Sequence, residues 1–291
     1  MKVSGFTFIR NAVRFDYPVV EAITSILPLC DEFIVALGNS DDNTRQLIES
    51  IPSDKIRVIP TIWDESLRDG GKLLAVETDK AYAQISSDAD WAFYIQADEV
   101  IHEKYLPNIQ QAMLTYKDDK RVEGLLFNYL HFYSSYDYVG DSRKWYRREV
   151  RIIRKGDGFH SYGDAQGFRR YDRHLRVIPI NAFVYHYGWV KHPSFQQEKQ
   201  KSFHRLWHSD EWMKKNITST NEFDYSKHID SLKHFTDSHP GVIKQRIQNK
   251  NWELPFDPSI KKMSSLKKLH YFFEEKTGWR IGEYKNFKII K

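Results

Sequence analysis

The strongest constraint on the fold is the regular alternation of strand-like and helix-like segments across the first hundred residues. Val3–Ile9 is a short apolar run that ends at Arg10-Asn11. Asp16 can cap a helix that has Pro18 in its first turn and runs to about Leu27. Glu32–Leu37 reads as a second strand, and Gly38-Asn39-Ser40-Asp41-Asp42 as a turn whose Ser40 or Asp41 can cap a helix over Asn43–Ile51. A third strand, Ile56–Ile59, is closed by Pro60. After Gly70-Gly71, residues Leu74, Thr78, Ala81, Tyr82 and Ile85 recur at helical spacing. Trp91–Ile95 is a continuous apolar strand, as in the covered centre of a parallel sheet. The order predicts a doubly wound, mostly parallel α/β sheet, which takes its ligands at the carboxyl ends of its strands. Three such ends stand out: Ile9-Arg10-Asn11, Gly38–Asp42 and Gln96–Glu99.

Farther along, a helix is expected from Glu103 to about Tyr116, followed by long aromatic strands at Val122–Tyr133, Trp145–Arg154 and Ile180–Tyr187. These predict a small antiparallel extension. Pro193–His208 reads as a helix, and the remainder as a polar, basic, aromatic tail. Cys30 is the only cysteine, which excludes an internal disulfide and a cysteine-built zinc site. The N-terminal run reads as a buried strand rather than a secretory signal, and no stretch has the length and apolarity of a spanning helix. A cytoplasmic location is the resulting expectation.

Charge is unevenly spread. Residues 1–100 carry 9 Lys and Arg against 17 Asp and Glu, a balance of −8, whereas residues 101–291 carry 35 against 22, a balance of +13. A basic second half suits an anionic partner or a solvated lysine-rich surface. Nucleic acid is not expected as that partner. No helix-turn-helix, finger or stacking signature is present, and an acidic sheet edge repels phosphate.

Asp98 and Glu99 close a buried strand at the ligand edge of the sheet. A carboxylate there cannot neutralise a diphosphate alone, but a hard divalent cation (Mn2+ or Mg2+) can bridge the two and stabilise a departing diphosphate. Asp98 is the best ligand by position, with Gln96 and Glu99 assisting through water or hydrogen bonds. An exposed acidic turn is the plainer reading of the same residues.

These segments resemble the GT-A fold nucleotide-diphospho-sugar transferases of glycosyltransferase family 2, of bacterial type. Phe8-Ile9-Arg10-Asn11 is similar to the family's first nucleotide loop. Ile34–Thr44, with Gly38, Asn39 and Asp42, resembles its second-strand signature, and Gln96-Ala97-Asp98-Glu99 its Asp-x-Asp metal motif. Leu37 and Gly38 replace the two acids of the second-strand signature, and Gln96 the first acid of the metal motif, so the donor's base is left undefined. The resemblance implies an inverting glycosyltransferase of cell-surface polysaccharide synthesis. It would move a sugar from a nucleotide-sugar donor to a saccharide or lipid-linked acceptor. It also implies a domain over 1–215, with a nucleotide-binding half over 1–103 and an acceptor-side half over 104–215, followed by a helical appendage over 216–291.

In the second half, Val184–Val190 resembles a His-Tyr-Gly segment of related enzymes, which makes His186 the second metal ligand; His192 and His102 are rivals, and a buried structural histidine is the alternative. Arg151–Asp164 resembles a stretch that ends in the catalytic base, which points to Asp164, with Asp141, Glu149 and Asp157 as alternatives. Lys72, behind two glycines, can reach a donor phosphate or simply face solvent. Lys261–Lys291 can cover the sheet edge or rest peripherally on the inner face of a membrane. Two other functions stay open. A nucleotidyltransferase is disfavoured by the absence of glycine in Arg10–Arg14, and a sugar-nucleotide-binding protein without turnover is suggested by the missing acids.

Overall fold

A computed structural model describes residues 1–67, 70–216, 220–253, 256–259 and 261–291. The first third alternates as expected: β1 (Val3–Ile9), α1 (Val19–Ile26), β2 (Glu32–Leu37), α2 (Thr44–Glu49), β3 (Ile56–Pro60), α3 (Lys72–Ala83) and β4 (Trp91–Tyr94). Next come β5 (Glu99–Ile101), α4 (Leu106–Tyr116), β6 (Gly124–Tyr133), β7 (Tyr138–Gly140) and β8 (Arg148–Arg154). They are followed by β9 (Phe159–Tyr162), β10 (Gly167–Arg170), β11 (Arg173–His174) and β12 (Arg176–Trp189). The last third holds α5 (Pro193–Arg205), α6 (Asp210–Asn216), β13 (Leu232–His234), α7 (Lys244–Gln248), α8 (Ser265–Thr277) and β14 (Lys288–Ile289).

Strands β3, β2, β1 and β4 lie parallel in that order. The sheet turns mixed past β4: β8 runs antiparallel to both β4 and β6, whereas β12 runs parallel to β6. Strands β9, β10 and β11 form a separate antiparallel sheet. All four residues of β4 are buried, as a strand covered on both faces requires. Apolar side chains of α1, α2 and α4 pack on one face of the sheet, and those of α3 on the other, with Phe203 of α5 beside them. The fold is therefore α/β with helices on both faces.

Two expected helix caps differ. Asp16 sits at φ 49° and pairs with Arg246, so α1 starts from Pro18 without a side-chain cap. At α2 neither Ser40 nor Asp41 serves: Asp42 Oδ1 accepts from the Thr44 amide at 3.0 Å. The C-terminal segment also enters the main sheet, because β13 pairs with β7 and β14 with β12.

Helix α8 is attached by its polar side. Glu274 meets Arg143, Arg147 and Arg280, and the Tyr271 hydroxyl donates to Asp141 at 2.9 Å. Its apolar stripe faces outward, with Leu266 64%, Leu269 62% and Phe272 56% exposed. Burial stabilises such side chains by about 1.5–3 kcal/mol each, and here that stabilisation is not realised within the chain.

Candidate active site

The carboxyl ends of β1 and β4 open into a cavity of about 1390 Å3. Phe8, Ile9, Arg10, Asn11, Gln96, Ala97, Asp98, Asp164 and His186 all line it. Asn11 adopts φ 55° and its Oδ1 accepts from the Asp41 amide at 3.0 Å, while the Asn11 amide donates to Ser40 Oγ at 3.0 Å. The first two strand ends are thus stitched together. Asn39 and Asp42 brace this junction from behind. The Asn39 carbonyl accepts from Arg10 Nε at 3.2 Å, and Asp42 Oδ2 accepts from the Arg14 amide at 2.8 Å. Gly38 supplies room: a Cβ there would stand 2.4 Å from Trp63 Nε1. Trp63 therefore packs against Gly38, and it lines the cavity with Phe8. Lys72 is exposed at the start of α3 and does not line the cavity.

Asp98 is buried at the end of β4, and β12 brings His186 to it, with Nε2 3.7 Å from Asp98 Oδ1. The Tyr187 amide donates to the Asp98 carbonyl at 2.7 Å, which locks the two strand ends together. A Cβ on Gly188 would lie 2.6 Å from Asp98 Oδ2 and 2.8 Å from the His186 ring, so only glycine leaves this cradle open. Lys199, from α5, donates to Asp98 Oδ2 at 3.3 Å and to the Gly188 carbonyl at 2.9 Å. Burial alone would raise the Asp98 carboxyl, but its charged neighbours, Lys199 first among them, outweigh it and hold it at about 2. Lys191 itself is fully buried, donates to the Phe15 carbonyl at 2.6 Å, and is driven well below the usual lysine range by burial.

The hydrogen bonds assign the His186 tautomer. His131 Nε2 lies 2.8 Å from the Tyr146 carbonyl, which can only accept, so that nitrogen carries the proton. Burial pushes His131 well below its ordinary value and keeps it neutral, leaving Nδ1 as an acceptor. His186 Nδ1, at 3.1 Å from His131 Nδ1, must then donate. Burial also lowers His186 against the pull of Asp98. With Nδ1 turned to His131, Nε2 is the ring atom that faces Asp98.

Glu99 is no ligand. It is fully buried in a bidentate pair with Arg151, at 2.8 Å for both bonds, and accepts from the Tyr129 hydroxyl at 2.8 Å. Arg151 also donates to the Gln166 carbonyl at 2.9 Å, and Gln96 Nε2 to the Ala165 carbonyl at 3.2 Å. Together they hold the Asp164 loop against the end of β4. Burial raises the Asp164 carboxyl. Of the other acids, Asp157 is exposed away from the cavity and Asp141 anchors α8. Glu149 is buried behind Gln166, which donates to it at 2.9 Å, and burial raises it to about 8. His192 and His102 cap local turns, accepting from the Ser194 and Lys104 amides.

Sequence reasoning missed Trp63, His131, Lys191 and Lys199. Only Lys199 had a usable signal, its helical spacing to Gln196 and Phe203 on one face of α5. Among the described residues, no group of three or more His, Cys, Asp or Glu stands together as a metal cluster. Two ligands about 2.1 Å from a shared hard cation can stand up to roughly 4.2 Å apart, so the Asp98–His186 pair fits one such ion.

No family model matches the chain, and no curated protein matches it. Among solved structures it is similar to Staphylococcus aureus TarS 1–349 in complex with UDP, at 20% identity over 45% of this chain and 36% of that one, with a TM-score of 0.33. S. aureus TarS itself is similar at 16% identity over 69% of this chain and 39% of that one, with a TM-score of 0.38. Glucosyl-3-phosphoglycerate synthase from Mycobacterium tuberculosis, in complex with Mn2+, UDP and phosphoglyceric acid, is similar at 20% identity over 45% of this chain and 43% of that one, with a TM-score of 0.30. The chain thus spans less than half the length of each of these structures.

Proposed function

We propose that this chain is a GT-A glycosyltransferase that moves a sugar, with inversion, from a nucleotide-diphosphate-sugar to a saccharide or lipid-linked acceptor. The observation that carries the reading is the meeting of Asp98 with His186 Nε2 just beyond the carboxyl end of β4, in the glycine-floored cradle. Asp98 and His186 would hold a divalent cation. When bound, that ion neutralises charge developing on the leaving diphosphate.

The chain's own residues supply the rest. Asn11 and Arg10 shape the rim of the donor site, and Phe8 and Trp63 offer aromatic walls for a base. Lys199 places an ammonium beside the diphosphate position, a preorganised charge of the kind that stabilises a leaving anion. Asp164 takes the proton of the acceptor hydroxyl as its oxygen bonds to the anomeric carbon and the carbon–diphosphate bond breaks. Its raised carboxyl is a better proton acceptor than an ordinary aspartate.

The test is thermal unfolding with nucleoside diphosphates and nucleotide sugars, with and without Mn2+, followed by release of nucleoside diphosphate from the stabilising donor. Stabilisation needing both nucleotide and metal, lost in Asp98→Asn and His186→Gln, is expected. Full activity of Asp98→Asn, or full activity in excess chelator, removes the metal role. Pyrophosphate release from a nucleoside triphosphate and a sugar phosphate would make it a nucleotidyltransferase, and donor binding without transfer a binding protein.

A further inference from the structure

Amphipathic helices in a folded chain turn their apolar side inward, but α8 does the reverse. Tyr271 and Glu274 hold it to Asp141, Arg143 and Arg147, while Leu266, Leu269, Phe272 and Phe273 project outward on one arc. Trp279 extends that arc, with its ring 6.0 Å from Phe273 and 62% of its surface exposed. Exposed Lys268 borders the stripe and exposed Lys276 stands on its arc over the Phe272 ring, whereas Lys267 falls on the attached side between Glu274 and Tyr271. Residues 261–291 hold 9 Lys and Arg against three acids, and two of those, Glu274 and Glu283, are engaged by arginines. The outward face is therefore apolar, with Lys268 and Lys276 as its cationic groups.

We infer that α8 and Trp279 seat the protein on an anionic lipid bilayer, with the stripe lying in the plane of the interface. An aliphatic and aromatic stripe that carries Lys268 and Lys276 matches an acyl boundary under negative headgroups. Among the described residues no helix is long and apolar enough to cross a membrane, so the contact is interfacial. The seat stands beside the cavity: Arg280 donates to the Trp145 carbonyl at 2.7 Å, and the adjacent Tyr146 lines the cavity. The inference stands apart from the proposed chemistry.

The test uses the full chain in flotation with phosphatidylcholine vesicles, with and without phosphatidylglycerol. Binding to the anionic vesicles alone is expected, weakening by about fivefold for each lysine removed in Lys268→Gln and Lys276→Gln and falling with salt. The variant Leu266→Ser/Leu269→Ser/Phe272→Ser changes only exposed side chains; it should unfold at the wild-type temperature yet fail to float. Absence of wild-type binding, or equal binding by that variant, overturns the inference. So does a stripe-dependent dimer that forms without lipid and binds none.

Discussion

Lys199 sits where a lone carboxylate would otherwise attract a metal ion, and this sets what each should do without the other. With Lys199→Met, Asp98 loses the ammonium at 3.3 Å. Turnover should fall by about 10²–10³, as when a preorganised donor to a developing anion is removed, while Mn2+ binds more tightly in the absence of nucleotide. Titration of Mn2+ by electron paramagnetic resonance checks the second point; unchanged affinity sinks it. Glu149 makes a separate case. Its carboxyl is raised to about 8 by burial, and its Oε2 is buried without a hydrogen-bond partner. A carboxyl raised on folding favours the native state fully below its unfolded pKa, near 4.3, and loses that contribution as pH rises to about 8. Wild type should therefore lose stability across that window, on the order of a few kcal/mol, and Glu149→Gln should not. Unfolding midpoints measured from pH 5 to 9 decide it.

At the scale of elements, the Glu99–Arg151 pair joins three pieces: the start of β5, strand β8 and the Asp164 loop. Removing one partner of a buried pair costs about 3–5 kcal/mol, so Arg151→Met should show that loss in urea unfolding. The double variant with Glu99→Gln should recover part of it. The strands themselves were legible because Val3–Ile9, Glu32–Leu37 and Trp91–Ile95 are apolar runs bounded by turn residues. The role of Glu99 was not legible. An acid after a buried strand looks alike whether it meets a ligand or an arginine 52 residues away. The same holds for Arg147, Arg148, Arg151 and Arg154, whose spacing along one stretch would equally suit an anionic ligand. The first two instead bind Glu283, Arg151 binds Glu99, and Arg154 caps carbonyls after α4.

For the molecule as a whole, the last third is structural as well as basic. Tyr225, Ile229, Leu232, Ile243 and Phe287 are all buried. At about 1.5–3 kcal/mol each their loss rivals a domain's entire net stability of roughly 5–15 kcal/mol. A chain ended at residue 215 should therefore lack a cooperative transition in calorimetry. The alternation of the first hundred residues made the sheet readable, but β13 and β14 are only 3 and 2 residues long and carry no periodicity. The site was half readable for a related reason. Asp98 announces itself at a strand end, whereas His131 and Lys199 reach it from 33 and 101 residues downstream.

Asp98 and His186 offer only two protein atoms to a cation, and a third neighbour, Lys199, already carries positive charge. On the proposed reading metal and nucleotide are mutual effectors, and the factor by which Mn2+ tightens the nucleotide has to equal the factor by which the nucleotide tightens Mn2+. Calorimetric titration in both orders measures the two sides of that cycle, and a factor of one would remove the shared site. Product departure would follow the same rule, whichever of the two leaves first loosening the other.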